Sequence, residues 1–448
     1  MDTPVCEFVR RYAESNTVRL HMPGHKGRAV LGVEHMDITE IDGADSLYEA
    51  DGIIRRSEEN ASRLFGCKTF FSTEGSSQCI RAMLYLAMLH AKEQGRKPLI
   101  AAARNVHKTF LSAAALLDLE VMWLYPKRME SYLTCQISPQ ELEAIFCSAV
   151  QKPTALYLTS PDYLGNLTDI TGLSEVCRRH GVLLLVDNAH GAYLRFLKPS
   201  LHPIDLGADL CCDSAHKTLP VLTGGAYLHL SPAVEYLLAG QIKNALALFG
   251  STSPSYLILQ SLDAANVYLD DYEEKLRDFL SLVEVLKRDL ESGGYCLIGQ
   301  EPLKITISAK LYGYTGIELA EILSKQNIMC EFADPDFLVL MLTPEIGKED
   351  MKKLRDTLLA ISRKESLSLS QPSFQIGEKI LSIRDAMFSP SEVVPVSESE
   401  GRILAAPSVG CPPAVPILVC GEKIDLCAVE CFHYYGIQKV SVVKENVI

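Results

Sequence analysis

Short apolar runs recur through the middle of the chain, at residues 98–103, 120–125, 155–159, 182–186, 209–212 and 226–230, and the stretches between them mostly have helical length and pattern. That rhythm predicts repeated β-α-β units. Val182-Leu-Leu-Leu-Val186 is apolar at every position, not at every second one. A strand of that kind is buried on both faces, the mark of a mostly parallel sheet covered by helices. The expected fold class is therefore α/β. Ligands of such sheets bind beyond the carboxyl ends of the strands.

Further along, Ser253-Pro254 offers a helix cap and a first-turn proline, and the helical pattern holds over 255–291 until Gly293-Gly294 stops it. At the usual rise such a helix spans about 50 Å, enough to cross between two domains. Beyond it, 303–308 and 337–342 read as strands and 316–326 and 348–362 as helices, which predicts a smaller α+β domain. The expected division is an N-terminal segment 1–58, a large domain 59–290 and a C-terminal part 291–448, with a linker near 366–377. The residues alone assign no role to the Pro- and Val-rich stretch around Cys411-Pro-Pro-Ala-Val-Pro416.

With 48% hydrophobic and 22% charged positions over 448 residues, the chain is too apolar for disorder to dominate. A net charge of -13 repels the phosphates of nucleic acid and the anionic face of a membrane, so neither is an expected partner. The first thirty residues carry Asp2, Glu7 and Glu14 with no apolar stretch among them. No run of about 18 apolar residues follows anywhere, and the expectation is a soluble cytoplasmic protein. Fourteen cysteines are spread thinly, several inside apolar runs (Cys79, Cys211, Cys212), which reads as reduced, buried thiols. Cys411, Cys420, Cys427 and Cys431 lack a Cys-x-x-Cys pair, and Pro23 lies between His21 and His25, so no metal centre is expected.

The candidate chemistry sits where two apolar runs end. Residues 182–186 lead directly into Asp187-Asn-Ala-His190-Gly191, and 209–212 into Asp213-Ser214-Ala-His216-Lys217-Thr218. Each residue alone reads as a loop charge; together a carboxylate and a lysine at one sheet edge ask for a common explanation. Pyridoxal phosphate (PLP) supplies it, because this cofactor needs a lysine amine for its Schiff base and a carboxylate to keep its ring nitrogen protonated. It also needs an anion site. Gly75-Ser76-Ser77 opens the strongly helical stretch 78–89, where backbone N–H groups, hydroxyls and the positive helix end can receive a phosphate. No nucleotide-binding G-x-x-x-x-G-K-[ST] or G-x-G-x-x-G motif competes. Asn105-Val-His107-Lys108, just after the run 98–103, adds an imidazole able to stack on a flat ring.

With these residues in view, the chain resembles the Orn/Lys/Arg decarboxylase family. His21-Met-Pro-Gly-His-Lys26-Gly27, Asp37-Ile-Thr-Glu40, Gly75-Ser76-Ser77, Val106-His107-Lys108, Pro161-Asp-Tyr-Leu-Gly165, Asp187-Asn-Ala-His-Gly191, Ser214-Ala-His-Lys217 and Ser253-Pro-Ser-Tyr256 occur in the family's order. They are similar to the group I enzymes of PLP fold type I, in the shorter form without an N-terminal wing domain. The resemblance implies a three-layer α/β/α large domain with a mostly parallel sheet, plus a smaller C-terminal α+β domain. It also implies that Lys217 forms the Schiff base, Asp187 pairs with the ring nitrogen and His107 stacks on the ring. Gly75, Ser76, Ser77, Ser214 and His216 would bind the phosphate, with Ala189 and His190 beside the cofactor. Thr252 or Ser253 would reach in from a neighbouring subunit, since the family's site lies at the interface of a homodimer or an assembly of dimers.

Three departures stand out: Asn188 where Glu is usual, Glu74 where Asn is common, and Cys411-Pro-Pro-Ala in place of Tyr-Pro-Pro-Gly. The resemblance implies decarboxylation of lysine, ornithine or arginine to a polyamine-type amine and CO2. His216 and Lys217 are the candidate acids that reprotonate Cα. A fold type I aminotransferase or another PLP lyase would use the same Lys217 and Asp187; a catalytically silent PLP-binding regulatory subunit is the other alternative, against which the intact lysine, aspartate and histidine argue. For a cationic side chain, Asp42, Asp45 and Glu49 of the acidic stretch 42–51 are the candidate counter-charges.

Overall fold

The computed structural model describes residues 1–127, 131–368, 371–372, 375–407 and 413–445. Part of the expected linker, 369–370 and 373–374, lies outside the described residues, as do Cys411 and Pro412. In chain order, the elements around the candidate residues are α1 (Pro4–Glu14), α2 (Ile53–Phe65), β1 (Lys68–Ser72), α3 (Gly75–Glu93), β2 (Leu99–Ala103), α4 (Lys108–Leu117), β3 (Glu120–Leu124) and α5 (Pro139–Ser148). There follow β4 (Ala155–Thr159), α6 (Ile170–His180), β5 (Leu183–Asp187), β6 (Leu210–Asp213), α7 (Ala215–Thr218) and β7 (Ala226–Leu230). The residues divide into two units. One holds Met1–Lys97, Ala149–Ser160 and Ile170–Arg277; the other holds Pro98–Ser148, Pro161–Asp169 and Asp278–Ile448.

In the first unit five strands lie in the order β1-β7-β6-β5-β4. β4, β5 and β6 pair in parallel, while β7 runs antiparallel to both β6 and β1. Four strands therefore point one way and only β7 is reversed, the mostly parallel α/β sheet that the apolar runs predict. All of β5 and β7 is buried, as expected for strands apolar at nearly every position. α3 packs on β1, β5, β6 and β7, and α6 on β5. α3 buries residues all round (Cys79, Ile80, Met83, Leu84, Leu86 and Ala87 among them), which is why its sequence shows little amphipathic contrast. β1 was not legible as a strand: Lys68-Thr-Phe-Phe-Ser72 is short and half polar, and gains its place through pairing with β7.

In the second unit β2 and β3 pair in parallel. A separate antiparallel sheet takes Phe332–Ala333, Phe337–Met341, Lys304–Ser308 and Leu297–Ile298 in that order. Helix Gly316–Lys325 begins with a complete capping box between Thr315 and Glu318. A two-stranded ribbon, Ser391–Pro395 with Lys439–Val443, and helix Leu426–Tyr434 share a core that includes Leu133, Leu164, Val339, Leu404, Ile424, Phe432 and Val442.

The helix expected over 255–291 is two helices, Tyr256–Tyr268 and Tyr272–Ser292, joined by the 3-10 turn Leu269–Asp271. The acids explain the break. Asp270, Asp271, Glu273 and Glu274 suit the positive start of a helix and oppose the negative end of the one before it. The cap is Ser255, whose Oγ accepts from Ile258 N at 3.4 Å, two residues after the expected Ser253.

Candidate active site

Asp187 ends β5 and is 2% exposed. Neighbouring strands hold its carboxylate from both sides: Tyr157 of β4 donates to Oδ2 at 3.1 Å and the Cys212 thiol of β6 donates to Oδ1 at 3.7 Å. Ala189 N adds a third donor to Oδ1 at 3.2 Å. Burial pushes the Asp187 pKa up, while the Lys217 charge and these donors pull it back. Burial, then the Asp187 charge, pushes Tyr157 well above the usual phenol range, so its hydroxyl stays a donor. The sequence signal for Tyr157 was a phenol in the otherwise apolar strand Ala-Leu-Tyr-Leu-Thr.

Lys217 lies in α7, one short turn beyond β6, with Nζ 3.0 Å from His190 Nε2. An ammonium can only donate, so His190 accepts at Nε2 when the lysine is charged. His216 Nδ1 is 3.0 Å from the Gly225 carbonyl and must carry the proton there. Burial lowers the pKa of His216, which favours the neutral ring.

The start of α3 has the features of an anion cradle. Gly75 has φ +71°, its N–H donates to Gly224 O at 2.7 Å, and an added Cβ would meet nothing within 4 Å. Glu74 makes no side-chain cap. Ser214 Oγ donates to Ser76 Oγ at 2.8 Å, so hydroxyls from the β6–α7 turn and from the first turn of α3 meet. Ser77 follows in the same turn, half-buried. Two hydroxyls and an uncapped 19-residue helix suit a phosphate.

In the second unit, His107 is the N-cap of α4: its Nδ1 accepts from Thr109 N at 3.2 Å, which fixes the ring's orientation. The C-terminal stretch with no legible role grips this turn. Lys108 N donates to Ala414 O at 2.8 Å, and buried Arg104 donates to Pro416 O at 3.2 Å and Ile417 O at 3.1 Å. Arg104 also pairs with Glu422 at 3.4 Å. Prolines lack N–H groups but keep their carbonyls, which suits a strap that only accepts.

The three candidate substrate carboxylates differ in surroundings. Asp42 and Glu49 are exposed. Asp45 is buried, and its carboxylate takes backbone N–H groups of Ser46, Asp51, Gly52, Ile54 and Arg55 at 2.9–3.3 Å, so it caps α2. Tyr48, which sequence reasoning missed, accepts from Gln78 of α3 at 2.8 Å, and an added Cβ on Gly250 would fall 1.8 Å from its hydroxyl. Its signal was its place inside the acidic stretch. Thr252 and Ser253, just beyond Gly250, are exposed.

Residues 3–297 match the family model described as "Orn/Lys/Arg decarboxylase, major domain". The chain belongs to the Orn/Lys/Arg decarboxylase family. It is an enzyme of the lyase class, in a family of amino-acid decarboxylases. The protein YaaO of Bacillus subtilis (strain 168) is 30% identical over 95% of the chain and 92% of its own length. An arginine decarboxylase of the same organism is 28% identical over 94% and 91%. Among solved structures, the Francisella novicida lysine decarboxylase LdcF superposes with a TM-score of 0.81 at 17% identity, covering 99% of this chain and 81% of that one. Serine palmitoyltransferase of Sphingomonas wittichii gives 0.56 at 14% identity, over 80% and 83%. These likenesses show the fold, that of the PLP fold type I enzymes. No helix among the described residues is long and apolar enough to cross a membrane.

Proposed function

We propose that this family member decarboxylates a basic amino acid, lysine, ornithine or arginine, to the corresponding amine and CO2 with pyridoxal phosphate as cofactor. The observation that carries the reading is the pairing, within one unit, of a buried carboxylate and a lysine at adjacent strand ends with a hydroxyl-lined, uncapped helix start. When bound, the cofactor supplies an aldehyde that condenses with amines and a protonated pyridine that takes up the electron pair left as CO2 departs.

The chain's own residues do the rest. Lys217 carries the covalent link. Asp187, shielded from water, holds the proton on the ring nitrogen, because an opposite charge at close range favours the charged form. Ser76, Ser77, Ser214 and His216 would hold the phosphate at the first turn of α3, with Ala189 and His190 beside the cofactor. His190 Nε2 accepts from the Lys217 ammonium at 3.0 Å and orients it. Lys217 or His216 returns a proton to Cα.

Arginine stands first among the substrates, because two arginine decarboxylases are 28% identical over 94% of the chain. Asp42 and Glu49 are the carboxylates available to a cationic side chain. Exposed Thr252 and Ser253 belong to a site shared in a cytoplasmic homodimer. The test is borohydride reduction of the PLP-loaded protein followed by peptide mapping, then incubation with each amino acid. A label on Lys217 with equimolar amine and CO2 is expected. A keto acid would make it an aminotransferase, and a labelled protein releasing no CO2 a silent subunit.

A further inference from the structure

Directly behind this constellation lies a charge that the proposed reaction does not use. Asp213, the last residue of β6, is wholly buried, as are His202, His229 and Asn188. Its Oδ2 faces His202 Nε2 at 3.1 Å and His229 Nε2 at 3.0 Å, and its Oδ1 accepts from Asn188 Nδ2 at 2.7 Å and from the Cys211 thiol at 3.7 Å. His202 Nδ1 accepts from Ile204 N at 3.4 Å, so its proton sits on Nε2 and points at the carboxylate. His229 Nδ1 lies 2.9 Å from the Thr69 hydroxyl, and because the ionised Asp213 carboxylate only accepts, His229 Nε2 carries a proton towards it as well. Burial works to raise the Asp213 pKa, but the two imidazoles outweigh it and hold the group far below the usual carboxylate range.

A carboxylate in a core is costly unless fully paired, and apolar residues of the same volume would pack there more cheaply. Its placement gives it a use. Asp213 immediately precedes Ser214 and stands four residues before Lys217; Asn188 immediately follows Asp187. The Asn188–Asp213 bond therefore ties the turn that presents the acid to the turn that presents the amine. It reinforces a backbone bond from Asn188 N to Cys212 O at 3.0 Å. Asn188 Oδ1 has no partner among the described residues, so its donation to Asp213 alone orients the amide. The amide fills the space beside Gly191, where an added Cβ would lie 2.0 Å from that oxygen, so only glycine fits there. Asn188 is the position where the sequence departs from the family's usual Glu, which would set a second carboxylate against Asp213.

We propose that Asp213, braced by His202 and His229 and clasped to Asn188, is a positioning residue that sets Asp187 relative to Lys217. This rests on the proposed function. Three variants test it: Asn188→Ala, which opens the clasp and keeps the braced carboxylate; Asn188→Asp, which keeps the shape and reverses the interaction; and Asp213→Asn, which removes the brace. Imidazole N–H resonances of the cofactor-free protein report the brace directly. They should persist in Asn188→Ala and lose their downfield pair in Asp213→Asn.

In PLP-loaded Asn188→Ala and Asn188→Asp, kcat should fall tenfold or more with KM changed less than threefold. The pH midpoint of cofactor absorbance should move by half a unit or more, while borohydride still labels Lys217. Should both Asn188 variants keep parental kcat and absorbance midpoint, whatever their Tm, the clasp is mere packing and the inference fails. If Asp213→Asn does not fold, the Asn188 pair still decides. A parent protein that leaves Lys217 unlabelled sinks the proposed function instead.

Discussion

Replacing Asp45 by Asn separates two roles that one carboxylate in an acidic loop can have. The Asp45 oxygens divide five backbone donors: Oδ1 takes Ser46 N and Asp51 N, and Oδ2 takes Gly52 N, Ile54 N and Arg55 N. Tyr256 adds bonds to the Asp45 backbone, so the side chain cannot swing away from these amides. An amide presents one oxygen and one NH2, and in its better orientation keeps three donors and strands two. Each stranded, part-buried N–H costs about 1–1.5 kcal/mol, so the start of α2 should lose about 2–3 kcal/mol. That corresponds to roughly 30- to 150-fold faster opening. Native-state hydrogen exchange reads it directly: the Ser46, Asp51, Gly52, Ile54 and Arg55 amides should exchange faster by that factor, while KM for basic amino acids stays within about twofold. Unchanged exchange together with a tenfold rise in KM would refute the capping argument and return Asp45 to the substrate pocket.

Two further outcomes follow from buried charges of the second unit. Removing the Arg104 side chain as Arg104→Met leaves Glu422 buried without its partner, a change that costs about 3–5 kcal/mol. Arg104→Met/Glu422→Gln should recover part of that loss, read as the urea midpoint of the fluorescence of the single tryptophan, Trp123, whose ring lies 5.5 Å from the Arg104 guanidinium; a double variant no better than the single one would show that the pair is not coupled. Burial, and after it the Asp336 charge, raises the Asp334 pKa to about 7 against backbone hydrogen bonds and Lys310 that lower it. The folded form then holds a proton that the unfolded form has lost between about pH 4 and 7. Stability therefore declines as pH rises through that window, by up to about 4 kcal/mol. Asp334→Asn should flatten this decline in denaturation midpoints between pH 5 and 8, and an unchanged slope would remove Asp334 as its source.

Much of the architecture was legible because strands buried on both faces need mostly apolar residues, and the runs 155–159 and 226–230 coincide with β4 and β7 to the residue despite Thr159 and His229. The placing of Asp187 and Lys217 beyond strand ends was legible for a related reason, and Gly75-Ser76-Ser77 as the opening of a helix. Polar residues that abruptly end an apolar run mark the strand ends, where α/β sheets keep their chemistry. β1 escaped notice because its burial comes from β7, far away in sequence, and the single long helix was over-read because its interrupting acids satisfy a helical pattern as surface residues. What only the tertiary structure decided is which groups meet. Asp45 reads as a loop charge until five amides close on it, and Pro413 to Pro416 read as a tail until Arg104 and Lys108 donate to it. His202, Asn188 and His229 are scattered polar residues until β5, β6 and β7 bring them to one carboxylate. Periodicity along a chain records how much of each residue is hidden from water; it carries no record of the partner on the far side of the core, and there the charges of this protein find their hydrogen bonds.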